Sequence, residues 1–263
     1  MYVYKLKIAY DGSGFSGWQV QPNAVTIQET IQNALFTLLQ EKVSLIGSGR
    51  TDAGVHALAQ VAHFKYGKRL DCRKLLASLN GLLPHAIRIL EAVEAPSNFH
   101  AQYSAASKCY HYHLWLEQTH LPWKRPYSWH VRSNFCPKRL REGAGLFIGE
   151  HDFTTFANEA HSGSAAKNAV RRLTRLDVVE QEGGLRLEFE SNGFLYKMVR
   201  NIVGTLHEVA TGKREIAEIS ELFAAKDRRK AGKAAPAHGL FLVTVRYPQE
   251  TLQNCGSEEP PAP

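Results

Sequence analysis

One carboxylate, Asp52, stands in the run Gly47-Ser48-Gly49-Arg50-Thr51-Asp52-Ala53-Gly54-Val55-His56-Ala57, among glycines, beside an arginine and between two apolar stretches. An acid at such a turn is a candidate nucleophile or general base. The competing reading is a turn cap, a common use of aspartate, and taken alone the cap carries more weight. The glycines do not make a phosphate loop. Gly49 and Gly54 have the Walker gap, but Val55 and His56 stand where that pattern needs Lys and Ser or Thr. In the Gly-x-Gly-x-x-Gly register from Gly47, Asp52 takes the place of the third glycine, and its charge repels phosphate. A glycosidase needs two facing carboxylates. The nearest acids in sequence, Glu41 and Asp71, are far along the chain. Chemistry at Asp52 is therefore that of a lone carboxylate near a cation.

Two arginines qualify as that cation. Arg50 lies two residues before Asp52. Arg200 lies in an apolar helical stretch after Gly193-Phe194-Leu195-Tyr196, where the 3.6-residue period puts it near Tyr196 and Val203. A buried arginine there needs an anionic partner. Snorkelling to the helix surface is the slightly stronger alternative on sequence alone. A third candidate is aromatic. Tyr110, Tyr112 and Leu114 share one face of a strand, and Cys109, His111, His113 and Trp115 share the other. This is a core strand or, in the functional reading, a platform on which a base stacks for roughly 1–3 kcal/mol. His111 and His113 lack an evident third ligand, so a metal site carries little weight.

These residues need a scaffold. Tyr4, Leu6, Ile8 and Tyr10 alternate, predicting a strand over 2–10. Thr26 and Glu29 suggest a capping box, followed by a helix with Ile27, Ile31, Leu35, Leu38 and Leu39 on one face. A short strand at Val43–Ile46, the Asp52 turn, a strand over Val55–Tyr66, a helix with Leu75, Leu76, Leu79, Leu82 and Leu83, and a strand over Ile87–Val93 complete a β-α-β-β-α-β order, that of a ferredoxin-like unit. The second half repeats it. A strand over 107–117 and a helix over 138–148 precede a hairpin of 172–180 with 185–191 turning at Gly183-Gly184. Then come a helix carrying Leu195 through Val209, a shorter helix near 215–226 and a strand over 239–247. The predicted class is α+β: two ferredoxin-like βαββαβ halves forming an extended, mainly antiparallel sheet flanked by helices. The N-terminal half is 1–104, the C-terminal half 105–248, and 249–263, with Pro260, Pro261 and Pro263, is expected to be a disordered tail.

Composition narrows the partner. Of 263 residues, 44% are hydrophobic and 22% charged, which is globular rather than disordered. The net charge of +7 suits a polyanion, nucleic acid first, or a merely basic surface, about equally. Three basic clusters favour a phosphate track: Lys65, Lys68, Arg69, Arg73 and Lys74; Lys167, Arg171, Arg172 and Arg175; and Lys226, Arg228, Arg229, Lys230 and Lys233. The four cysteines show no Cys-x-x-Cys spacing, arguing against zinc or dithiol redox chemistry. Met1 to Tyr10 alternates rather than forming a signal core, and no run approaches the ~18 apolar residues of a membrane span. The expected location is the cytoplasm, with no membrane association.

Taken together, these residues resemble the tRNA pseudouridine synthase A family over nearly the whole chain before the tail. The resemblance is carried by Tyr10-Asp11-Gly12, Gly17-Trp18-Gln19, Gly49-Arg50-Thr51-Asp52-Ala53-Gly54-Val55-His56, Phe99-His100-Ala101, Tyr110-His111-Tyr112, Asp152-Phe153, Met198-Val199-Arg200-Asn201-Ile202-Val203-Gly204 and Ala225-Lys226-Asp227-Arg228. It implies an isomerase converting uridines at positions 38, 39 and 40, in the anticodon arm of tRNA, to pseudouridine. It also implies a homodimer that uses no cofactor and no metal. Asp52 matches the family's catalytic aspartate and Arg200 the arginine that pairs with it. Tyr110 matches the tyrosine that stacks on the target base, and Arg50 the arginine that helps hold the base out of its stack. One departure is visible. Gln102 and Tyr103 follow Phe-His-Ala where the family often has arginine and phenylalanine, removing one cation that could contact phosphate.

The implied reaction breaks the bond between ribose C1′ and uracil N1, turns the base and rejoins it through C5, so one carboxylate suffices. Asp52 would act as nucleophile at C1′ or as base in an elimination, and the sequence leaves both routes open. The competing functions are a non-catalytic tRNA-binding protein and a nucleoside hydrolase.

Overall fold

The computed structural model describes residues 1–131, 134–158 and 168–248. The expected tail at 249–263 and Lys167 of the second basic cluster lie outside the described residues. The first half contains β1 (Tyr2–Tyr10), α1 (Ile27–Leu39), β2 (Ile46–Gly47), β3 (His56–Tyr66), α2 (Cys72–Leu82) and β4 (Ile87–Ala95). The second contains β5 (Ser107–Trp115), β6 (Trp129–His130), α3 (Pro137–Gly145), β7 (Gly149–Asp152), β8 (Val170–Gln181), β9 (Gly184–Ser191), α4 (Met198–Ala210), α5 (Glu218–Ala225) and β10 (Leu240–Arg246).

Among the described residues, all strands belong to one ten-stranded sheet, ordered β4-β1-β3-β10-β5-β9-β8-β7, with β2 added to β3 and β6 added to β5. The first half reads, in its own strand numbering, 4-1-3-2 across β4, β1, β3 and β2. The second reads the same across β10, β5, β9 and β8. The class is α+β, and the two ferredoxin-like units predicted from the element order are joined edge to edge. Most pairings are antiparallel, and the join itself is parallel, Phe241 facing His56 and Leu242 facing Ala57.

That join shapes the molecule's centre. One edge of β3 is shared by two neighbours: β10 takes His56 and Ala57, while β2 takes Ala62 and His63. The segment between β2 and β3, residues 48–55, leaves the sheet at this fork. A continuous row of paired residues crosses the same seam: Tyr10 opposite Ala57, Ala57 opposite Leu242, Leu242 opposite Tyr110 and Tyr110 opposite Phe189. Cross-strand partners share a face, so Tyr10 and Tyr110 rise from one side of the sheet.

Helices are built as their patterns require. Thr26 Oγ1 accepts from the Glu29 N–H at 3.4 Å to start α1, which buries Ile27, Ile31, Ala34 and Leu35. Asp71 caps α2, which buries Leu75 and Leu79. α4 is the most buried, with Met198, Val199, Ile202, Val203, Leu206 and Val209 all in the core. Each such side chain contributes roughly 1.5–3 kcal/mol against exposure, which holds the helix's first turn firmly at the seam.

Four local expectations are corrected. Val43–Leu45 is not strand; only Ile46–Gly47 pairs. The carbonyls of Val43 and Leu45 instead accept from Gln32 Nε2 at 3.2 Å and Gln28 Nε2 at 2.8 Å, so side chains of α1 take the place of a ladder. The hairpin turns at Glu182-Gly183, and Gly184 already pairs with Gln181 and Trp115. Leu195 precedes α4, because Lys197 adopts the left-handed region at φ 59° and the helix starts only at Met198. Finally, α3 ends at Gly145, short of 148, and the short strands β6 and β7 were not anticipated by the alternation.

Candidate active site

Residues 48–55 are fixed from several sides. Ser48 N–H bonds the Val61 carbonyl at 2.7 Å, and Ser48 Oγ meets Gln60 Oε1 at 2.6 Å. Gln60 Nε2 donates to the Gly49 carbonyl at 3.0 Å, and Lys108 Nζ donates to the Ser48 carbonyl at 2.6 Å from across the seam. Thr51 is held twice, its Oγ1 sharing a hydrogen bond with Tyr10 OH at 2.8 Å and its carbonyl accepting from Trp18 N–H at 3.0 Å. Val55 N–H closes the turn on the Asp52 carbonyl at 3.1 Å, with Gly54 in the left-handed region at φ 76°. The chain passes so close at Gly12 that a Cβ there would stand 2.1 Å from the Val55 carbonyl oxygen. Asp52 is thus a side chain on a braced turn.

Its partner comes from the other half. Arg200, in the first turn of α4, places Nη1 2.6 Å from Asp52 Oδ2, with the two side chains only 15% and 16% exposed. Arg200 Nε donates to the Ala235 carbonyl at 2.8 Å, fixing the plane of the guanidinium. It does not snorkel. Among the described residues, Asp52 Oδ1 accepts no hydrogen bond, so one carboxylate oxygen is positioned and the other is open to a ligand.

Tyr110 is 7% exposed and packs edge-on against Phe194, ring centroids 5.0 Å apart. Burial first, then the nearby Tyr10 and Asp52, pushes its hydroxyl far above the ordinary tyrosine range, so it stays a neutral phenol. The strand register sets Tyr110 opposite Leu242, which faces Ala57 just beyond the turn that carries Asp52. Arg50, two residues before Asp52, is exposed and forms no ion pair among the described residues. Asp52, Arg200 and Tyr110 therefore converge at the seam, while Arg50 shares the turn of Asp52.

His56 of the same motif has a structural part. Its Nδ1 accepts the Gly12 N–H at 3.1 Å, which assigns the proton to Nε2, 3.0 Å from the Pro126 carbonyl. Burial lowers its pKa despite the neighbouring Asp11. His111 and His113 project from the strand face opposite Tyr110. His111 lies 3.8 Å from Glu188, and His113 Nδ1 lies 3.0 Å from Gln181 Oε1. No group of three His, Cys, Asp or Glu among the described residues could hold a metal. Among the described residues, no helix is long and apolar enough to cross a membrane.

The basic clusters are partly consumed by internal pairs. Arg69 meets Glu94 at 3.1 Å, Arg175 meets Glu188 at 2.8 Å, Lys226 meets Asp152 at 2.8 Å and Arg229 meets Asp227 at 2.8 Å. Lys65, Lys68, Arg73, Lys74, Arg172, Lys230 and Lys233 remain exposed. Tyr103, at the site of the sequence departure, is 77% exposed and stacks on His100 at 4.3 Å. Sequence reasoning missed Lys108, Gln60, Thr51 and Tyr10 as braces of the loop. Lys108 was legible in one respect, as a lysine two residues from Tyr110 on the same strand face.

A largely buried carboxylate with one free oxygen, on a face that also carries an aromatic ring able to take a flat base, suits attack or proton removal on the sugar that bears that base. Comparison with known proteins agrees. A family model described as tRNA pseudouridine synthase matches residues 7–104 and 144–248. The chain is 59% identical over 251 residues to tRNA pseudouridine synthase A 1 of Protochlamydia amoebophila (strain UWE25), covering 95% of this chain and 98% of the relative. It is 43% identical over 256 residues to tRNA pseudouridine synthase A of Chlamydia muridarum (strain MoPn / Nigg), covering 96% and 95%. It is 41% identical over 240 residues to tRNA pseudouridine synthase A of Thermoanaerobacter sp. (strain X514), covering 91% and 97%.

Proposed function

Because this chain belongs to the tRNA pseudouridine synthase family, isomerases that form pseudouridine in tRNA, we propose that it acts on uridines 38, 39 and 40 of the anticodon stem-loop with Asp52 as its catalytic carboxylate. The observation that carries the reading is the Asp52–Arg200 pair at 2.6 Å, at the seam that Tyr110 reaches through Leu242. The half over 1–104 supplies Asp52 and Arg50, and the half over 105–248 supplies Tyr110 and Arg200. The active unit is a homodimer in the cytoplasm, working without cofactor or metal.

The reaction needs little from the protein beyond placement. The target uridine leaves its stack at a cost of a few kcal/mol. Stacking on the Tyr110 ring offsets roughly 1–3 kcal/mol of that, and Arg50 keeps the base from returning. Oδ1 of Asp52 then meets the sugar, at C1′ as nucleophile or at a ribose proton as base, while Arg200 holds Oδ2. The C1′–N1 bond breaks, the uracil turns, and C5 bonds to C1′ as the Asp52 carboxylate leaves that carbon or, on the other route, returns the ribose proton. The C5 proton is released and N1 gains one, so no other atom is exchanged.

Tritium release from tRNA labelled at uridine C5, combined with mapping of the modified residues, tests this. Release with pseudouridine confined to 38, 39 and 40 is expected. Pseudouridine elsewhere refutes the assigned positions. Binding without release would leave a non-catalytic tRNA-binding protein, and free uracil with an abasic RNA would mark a hydrolase.

A further inference from the structure

Among the described residues, two cations of the second half, Lys108 and Arg171, carry no carboxylate. Lys108 precedes Tyr110 by two residues on β5, so both side chains rise from the same strand face. Beyond its bond to the Ser48 carbonyl at 2.6 Å, the Lys108 ammonium keeps two N–H donors, and Nζ stands 2.9 Å from where a Cβ on Gly49 would lie. Arg171, at the start of β8, passes its guanidinium beside Gly193, one residue from the Phe194 ring that meets Tyr110. Its Nη1 donates only to the carbonyls of Asn168 and Val170, at 2.9 and 2.6 Å. Among the described residues, neither cation forms an ion pair with Asp or Glu, and the neighbouring carboxylate, Asp52, is already held by Arg200.

Such an arrangement is costly until an anion arrives. Burial, and then the charge of Arg171, pulls the Lys108 ammonium down to about 8, the sign of a charge short of compensation. The substrate brings one phosphodiester per nucleotide. Two residues along a strand is about 7 Å, within a nucleotide's reach of a base lying on Tyr110. We propose that Lys108 and Arg171 form a phosphate subsite that grips the RNA phosphodiester adjoining the flipped uridine. The assignment rests on the reading of Asp52 and Tyr110 as the uridine site. Lys108 also holds the Ser48 carbonyl, so a seated phosphate and the loop leading to Asp52 share one anchor.

The test uses the full chain and ligated full-length tRNA with a single neutral methylphosphonate, moved through the phosphates flanking the target uridine. On ordinary tRNA, Lys108→Met should weaken binding about tenfold and lower the log–log salt slope by about 1. Lys108→Arg should restore most of both. At one flanking phosphate the methylphosphonate should weaken wild-type binding but leave Lys108→Met unaffected. Thermal melts of the variants check that they fold. Unimpaired binding by Lys108→Met, or equal methylphosphonate penalties in wild type and variant at every position, overturns the subsite. Binding reads the phosphate subsite and pseudouridine formation reads the uridine site, so failure of one is distinguishable from failure of the other.

Discussion

Arg200 Nη1 meets Asp52 Oδ2 at 2.6 Å although 148 residues of chain separate them. Each residue belongs to a different ferredoxin-like unit, and the pair forms only because β10 lies against β3 at the seam. The site therefore exists only when both units are folded and joined. The same geometry divides labour within one carboxylate, since the oxygen facing α4 is fixed and the other is open.

Removing the reactive oxygen should end the chemistry without removing the RNA surface. Asp52→Asn is expected to abolish pseudouridine formation in single-turnover assays while tRNA affinity stays within a few-fold of wild type. Arg200→Met should cut kcat by roughly 10²–10³-fold, the scale expected when one preorganised electrostatic contact at the reacting group is lost. Its effect on tRNA affinity should be far smaller. Product from Asp52→Asn, or unchanged turnover in Arg200→Met, would contradict these roles.

Tyr110 offers a ring, and its hydroxyl stays protonated. Tyr110→Leu keeps apolar volume beside Phe194 but loses the π-face. Its kcat/KM should fall about ten- to a hundredfold, matching a lost stack of roughly 1–3 kcal/mol. Tyr110→Ala should lose as much and also melt earlier, because it leaves a cavity. A near-wild-type Tyr110→Leu enzyme would show that no base stacks there.

The strands and long helices were legible because one-sided burial imposes simple periods, as Tyr4, Leu6, Ile8 and Tyr10 illustrate. The element order then gave both units. What escaped was set by tertiary partners. Val43 and Leu45 read as strand, yet glutamines of α1 satisfy their carbonyls. Lys197 sits at a left-handed φ that no pattern marks, so α4 starts later than its apolar spacing suggests. Arg200 read slightly better as snorkelling. Its pairing depends on a residue 148 positions away, and local periodicity contains no such information. The motif resemblance, not the periodicity, pointed to that pair.

The turn bearing Asp52 has no slack where Gly12 passes beneath it. A Cβ at Gly12 would stand 2.1 Å from the Val55 carbonyl oxygen, which is backbone and cannot swing aside. Gly12→Ala should therefore displace the turn. Misplacement by about 1 Å can cost about 10²-fold in rate, and overpacking typically costs about 1–3 kcal/mol of stability. Gly14→Ala is the matched control, because nothing lies within 4 Å of its added Cβ. The expected result is a slow, less stable Gly12→Ala enzyme that still binds tRNA, beside an unaffected Gly14→Ala. Equal activity in the two variants would mean the turn yields without consequence.

Acid should weaken the fold through His63. This ring is 1% exposed, and its Nδ1 accepts the Ala101 N–H at 3.1 Å, so that nitrogen carries no proton in the native state. Burial, then His100 and Lys65, pull its pKa down from 6.5 to about 4. Below pH 6.5 the unfolded chain binds a proton there that the native state does not take up until about pH 4. Stability is therefore lost as pH falls through that window. Carboxylates titrate in the same range, so the informative quantity is a difference between proteins. His63→Asn places an oxygen near Nδ1 to accept the Ala101 N–H, and it does not titrate. Tm measured from pH 7 to pH 4 should fall further for wild type than for His63→Asn, whatever their relative stability at pH 7. Parallel Tm curves would show that His63 is protonated equally in the folded and unfolded chains.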